Sequence, residues 1–146
     1  MQLIELLRNV EIFEGLNDKQ LKKIAGVFRE RILHSGEALF HQGDKADHLY
    51  IIKSGFVEVS LDSPAPSGRH PIRNLGLGQT VGEMSWIDRG VRSATVRAVT
   101  DSTIIAYVSF EVLDELCKRN PKIGYLIFRN IAADLSFRLR QDTGGR

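Results

Sequence analysis

The sequence predicts an α+β fold: an antiparallel β-roll, jelly-roll-like and of about eight strands, with N-terminal helices and two C-terminal helices. Two observations carry this. Between Arg29 and Val108 the apolar residues fall in short alternating runs separated by glycine and proline, the pattern of antiparallel strands joined by tight turns. On either side of that region apolar residues recur at three- and four-residue spacing, the period of a helix with one buried face. At 146 residues the chain has the length of one domain and can bury a real core.

The elements follow in order. Residues 2 to 8 form a weak amphipathic helix with Leu3, Leu6 and Leu7 on one side. Asn17 followed by Gln20 resembles a capping box, and Leu21, Ile24, Ala25 and Phe28 continue at helical spacing, so a helix is expected over 18–28. Phe13 and Leu16 are expected to pack back on it. In the roll, Leu39 and Phe40 lead to the turn Gln42-Gly43-Asp44. Leu49 and Ile51 face one way, and Ser54-Gly55 makes a turn. Val57, Val59 and Leu61 face opposite to Glu58 and Ser60. Ile72 and Leu75, then Ala94, Val96 and Ala98, then Ile105 and Tyr107 mark further strands. Asp62 to His70, DSPAPSGRH, is the only proline- and serine-rich segment and reads as an exposed, mobile hairpin connection.

Helix returns after the roll. Ser109 can cap a helix carrying Val112, Leu113 and Leu116. Asn120-Pro121 breaks it, and Pro121 suits the first turn of the next helix. That last helix, over 121–140, carries Ile123, Leu126, Ile127, Ile131, Leu135 and Leu139, and Phe128 begins a second stripe. Being apolar on more than one face, it can pack on the roll and on a second copy of itself; burial within its own domain is the simpler alternative. The expected organisation is one domain, with N-terminal helices 1–28, roll 29–108, terminal helices 109–141 and a disordered tail 142–146.

Hydrophobic content of 42% and charged content of 26% are those of an ordinary globular protein, and a net charge of +2 argues for neither nucleic acid nor membrane. Cys117 is the single cysteine, which excludes an internal disulfide and fits a reducing compartment. Its helical setting marks it as a small buried hydrophobe. The N-terminus lacks the features of a signal peptide, and no apolar run approaches the ~20 residues that span a bilayer. A cytoplasmic location is therefore expected.

The most informative stretch is Val81 to Val96, VGEMSWIDRGVRSATV. Gly82 and the free N–H groups of a short helix after it can receive an anion. Arg92 can supply a charge and a planar fork that matches two phosphate oxygens. Glu83 is poorly suited to a phosphate but can accept hydrogen bonds from a sugar hydroxyl. The pair therefore suits a sugar phosphate.

With Phe40-His41-Gln42-Gly43-Asp44, Tyr50-Ile51-Ile52-Lys53-Ser54-Gly55, Gly78, Gly82-Glu83 and Arg92-Ser93-Ala94-Thr95-Val96 in this arrangement, the chain resembles the cyclic nucleotide-binding domain family over residues 10 to 140. This is the sensor module of bacterial catabolite activators, of cyclic-nucleotide-dependent kinases and of cyclic-nucleotide-gated channels. The resemblance implies a phosphate-binding cassette over 81–96. Gly82 and the backbone N–H groups of Glu83, Met84 and Ser85 would bind the cyclic phosphate. Glu83 would accept the ribose 2′-hydroxyl, Arg92 would pair with the exocyclic oxygens, and Ser93 with Ala94 would complete the contacts. The base would lie toward the last helix, acting as lid and transmitter, where Asp134, Ser136 and Arg138 are candidates to touch it. Three positions depart from the family pattern: Val81 where an aromatic is common, Val91 where proline is common, and Trp86 in place of a smaller aliphatic. None removes a ligand-binding group. Trp86 is expected to pack the cassette helix against the last helices.

The expected function is a non-catalytic sensor or regulatory domain for cAMP or cGMP, with no further cofactor. Nothing in the sequence supplies a nucleophile or a paired acid and base. A homodimer through the last helix, or an effector domain or protein, would carry the output; direct nucleic-acid and membrane contact are not expected. The alternative is a protein-interaction or dimerisation module that keeps the fold without the ligand. A cupin-like metalloenzyme would need imidazoles converging on one ion, and His34, His41, His48 and His70 form no H-x-H pair.

Overall fold

In the computed structural model, which describes residues 1–142, eight strands form two four-stranded antiparallel sheets with helices at both ends. One sheet has the order β1 (Arg29–Leu33), β8 (Thr103–Ser109), β3 (His48–Ser54), β6 (Thr80–Val81). The other has the order β2 (Ala38–Phe40), β7 (Thr95–Ala98), β4 (Val57–Asp62), β5 (Arg69–Leu75). This is the expected roll.

The N-terminal helices are shorter than their apolar spacing suggested. α1 is Leu3–Leu7 and α2 is Asp18–Ala25, with a single 3₁₀ turn at Glu11–Phe13 between them. The capping box is formed: Gln20 N–H donates to the Asn17 side chain, and the Asn17 N–H donates to Gln20 Oε1, both at 2.9 Å. Phe28, expected inside α2, lies beyond its end yet is buried, meeting Phe13 edge-to-face. A buried aromatic at helical spacing looks the same in sequence whether or not the helix reaches it.

β3 is apolar on both faces. Leu49 and Ile51 join the core made with the helices, while Tyr50 and Ile52 join a second core between the sheets. The alternation seen at Leu49 and Ile51 was therefore half of the pattern. In β4, Val57 and Val59 face inward as expected, but Ser60 is buried and Leu61 only half-buried. The pairing with β5 runs Val59 to Arg73 and then Ser60 to Pro71, a bulge that leaves Ile72 as the extra residue and exposed. Gly55, at φ +83°, makes the β3–β4 turn, and a Cβ there would meet Thr103 Cα at 3.1 Å.

α3 (Glu83–Asp88) is the short helix after β6, α4 is Phe110–Arg119 and α5 is Pro121–Asp142. Ser109 caps α4 by accepting from Val112 N–H at 3.1 Å. α4 buries Phe110, Leu113, Leu116 and Cys117, while Val112, expected on the apolar face, is exposed: the buried face centres on Leu113 and Cys117, and Val112 falls at its edge. α5 buries Ile123, Ile127 and Ile131 and half-buries Leu126 and Leu135. Leu139 is exposed. Asp142, assigned in the sequence to a tail, ends α5, and the rest of that expected tail, 143–146, lies outside the described residues.

Candidate functional site

Two turns deliver Arg92 to the interior. Arg92 N–H donates to the Asp44 carbonyl and Gly43 N–H donates to the Arg92 carbonyl, both at 2.8 Å. The 41–44 turn therefore clamps the Arg92 backbone, with Gly43 at φ +89° and Asp44 Oδ2 accepting from His41 N–H. Gln42 N–H donates to Thr95 Oγ1 at 2.9 Å, fixing the strand that follows. The motif around Phe40 to Asp44 is thus a bracket for the arginine.

The Arg92 side chain is 3% exposed. Its Nη2 donates to the His48 carbonyl at 2.7 Å, and the guanidinium lies over the Phe40 ring at 4.1 Å, with Tyr50 and Phe110 farther out. Nε and Nη1 have no hydrogen-bond partner. The Tyr50 hydroxyl favours the charge electrostatically but makes no aligned bond to those nitrogens. Burial pulls the Arg92 pKa down, Tyr50 and Asp47 opposing it. The group remains a cation, because arginine does not deprotonate in proteins.

Gly82 caps α3 at φ +93°, and a Cβ there would collide with Arg92 Nη1. Glycine is required both by the left-handed backbone and by the closeness of the guanidinium. The first-turn N–H groups of α3 and the two unpartnered nitrogens of Arg92 thereby face one cleft. It is a small open cleft of about 120 Å³. Gly82, Glu83, Met84, Ser85, Arg92, Ser93, Ala94 and Arg138 all line it. Asp134 lines an adjoining cavity with Glu83 and Arg138, and pairs with Arg138 at 2.8 Å. Ser136 is exposed and lines neither. Glu83 is half-buried, and burial raises its carboxyl pKa, against the lowering effects of its own N–H, Arg138 and Thr80.

A family model described as the cyclic nucleotide-binding domain matches residues 30–120. The chain belongs to that family. It is 33% identical over 135 residues to the cyclic AMP receptor protein of Thermus thermophilus, covering 92% of this chain and 60% of that one. It is 32% identical over 127 residues to an uncharacterised NTE family protein of Mycobacterium tuberculosis, covering 86% of this chain and 21% of that one. The solved N-terminal domain of a transcriptional regulator from Streptomyces coelicolor matches with a TM-score of 0.81 at 28% identity, covering 91% of this chain and 94% of that one. The chain thus spans about a fifth of one sequence relative and 60% of the other. Membership supports a regulatory, cyclic nucleotide-sensing role for this domain.

Several residues of this cyclic nucleotide-binding domain escaped the sequence reading of the site. Phe40 and Tyr50, which carry the guanidinium, were named within the motifs behind the resemblance but given no role at the site, and the His48 carbonyl has no side-chain signature. Thr80, Arg73, Val59 and Leu75 also line the cleft. The period-2 pattern of β3 placed Tyr50 opposite Leu49 and Ile51, which was the available sign that it faces the cleft. His34, His41 and His48 each sit beside a separate aspartate, and among the described residues no group of three or more His, Cys, Asp or Glu is placed to hold a metal ion. No helix among the described residues is long and apolar enough to cross a membrane.

Proposed function

We propose that this domain is a non-catalytic sensor that takes a 3′,5′-cyclic purine nucleotide, cAMP in preference to cGMP, into the cleft beside α3. The cyclic phosphate lies against Gly82 and the N–H groups of Glu83, Met84 and Ser85, and against Arg92 Nε and Nη1. Glu83 accepts the ribose 2′-hydroxyl. The base extends toward α5, where Arg138 and Asp134 stand, and Ser93 and Ala94 close the phosphate side.

The observation that carries this reading is Arg92 itself. A guanidinium 3% exposed, with Nε and Nη1 unpartnered, fits an anion that completes it. A fold that had lost its ligand would gain from replacing such a residue, because burying an unpaired charge is costly. That argues against the ligand-free interaction module. Preference for cAMP is supported by the relative named a cyclic AMP receptor protein. Output passes through α4 and α5. Tyr125, Phe128 and Phe137 on α5 are large, apolar and exposed, which supports a second copy or an effector protein as the recipient of the signal.

Isothermal titration with cAMP and cGMP against wild type and Arg92→Ala tests this. A charge-assisted bond of about 1.5–3 kcal/mol predicts binding weakened about tenfold or more by the substitution. Absence of heat at millimolar nucleotide with wild type rejects the reading.

A further inference from the structure

α3 cannot hold its own position. It has six residues, no side-chain N-cap, and a C-cap, Arg89, that is a non-glycine residue at φ +60°. Helices this short are not stable by themselves in water, and the left-handed cap adds strain. Yet its first turn and the segment leading to Arg92 must be in place before an anion arrives. Its anchors lie at its other end. Trp86, 1% exposed, packs its ring on Phe128 of α5 with centroids 4.7 Å apart. The polar anchor at this end is on α4: Asp114 Oδ1 accepts from Trp86 Nε1 at 2.8 Å, and Oδ2 accepts from Arg89 Nη2 at 2.5 Å. A single half-buried carboxylate thus satisfies the buried indole N–H and holds the strained cap.

We infer that Asp114 is a positioning residue for the phosphate site, which it touches nowhere: it pins α3 through Trp86 and Arg89 and so sets the affinity for the nucleotide. This deepens the proposed function and rests on it. The physical reason is preorganisation. A ligand that must also order the helix binds with an apparent affinity reduced by the fraction of molecules already in the competent arrangement. Asp114→Asn keeps an acceptor for Trp86 but loses the charge facing Arg89; Asp114→Ala loses both.

The experiment combines amide hydrogen exchange with nucleotide titration on wild type, Asp114→Asn, Asp114→Ala and Asp114→Asn/Arg89→Met. In Asp114→Ala, amides of 83–89 exchange faster than in wild type without nucleotide, match wild type at saturation, and cAMP binds about tenfold more weakly. Asp114→Asn shows a smaller loss, and adding Arg89→Met to it loses nothing further, because the two share one interaction. Wild-type protection of α3 in Asp114→Ala overturns the inference. So does faster exchange spread evenly over the roll, which marks general destabilisation. If wild type binds no nucleotide, the proposed function fails, while exchange in the ligand-free variants still decides whether Asp114 pins α3.

Discussion

Burying the Arg92 guanidinium with two nitrogens unpartnered costs the ligand-free domain free energy, only part of which its stacking on Phe40 and its bond to the His48 carbonyl return. Arg92→Met keeps an unbranched stem for that slot and removes the charge. Its ligand-free melting temperature should equal or exceed that of wild type, while cAMP no longer raises it; a drop of several degrees by calorimetry would count against the unpaired charge being a cost. Glu83 works through pH. Burial raises its pKa, so the folded domain holds this proton more tightly than the unfolded chain does. The stability it contributes is present below the ordinary carboxylate value and is lost as pH rises through the raised one. Glu83→Gln, which cannot ionise, should therefore gain on wild type in melting temperature as pH rises above the ordinary carboxylate range, and should bind cAMP more weakly. A gap that narrows with rising pH would refute this. Gly82, Glu83 and Arg92, which all line one cleft, were legible as one group in the sequence. Phe40 and Tyr50 were not, because an aromatic in a strand looks the same whether it faces lipid-like core or a cation.

Elements were read best where chemistry marks their ends. The Asn17–Gln20 box and the Ser109 cap each name a helix start by the side chain that satisfies it. Helix ends were read worst: Phe28 extended the apparent period of α2 past Ala25. The face of α4 was misjudged at Val112 because the buried stripe centres on Leu113 and Cys117 and leaves Val112 at its edge. The bulge in β5 was missed because it has no signature when its extra residue, Ile72, is itself apolar. For α3 the decisive residue is Gly82. Gly82→Ala must place a methyl against Arg92 Nη1 and hold φ near +93°, a conformation costing about 1–2 kcal/mol for an L-residue. The expected outcome is a lower melting temperature together with loss of cAMP binding by titration. Full binding by this variant would mean that the site forms elsewhere.

For the whole molecule, the β-roll and both helical ends were predictable because alternation and helical spacing occupy separate parts of the chain. The order of strands within each sheet was not, since β2 pairs with β7 and β1 with β8 across most of the sequence. A ligand that binds only the folded domain stabilises all of it: at a hundredfold excess over its Kd the gain is about 2.7 kcal/mol. For a domain of this size that is a rise of about 5–10 °C in melting temperature, growing with the logarithm of cAMP concentration. Arg92→Ala should show little of it. A rise in wild type that does not depend on concentration would point to something other than site binding.

β5 has a consequence for life in a crowded solution. It lies at the open border of its sheet, with every residue but Leu75 exposed. Such a border is a template on which another chain can lay a strand. Here Pro71 has no N–H to offer, Ile72 bulges out of line, and Arg73 brings like charge to any second copy that approaches. These features oppose strand addition along this side of the molecule.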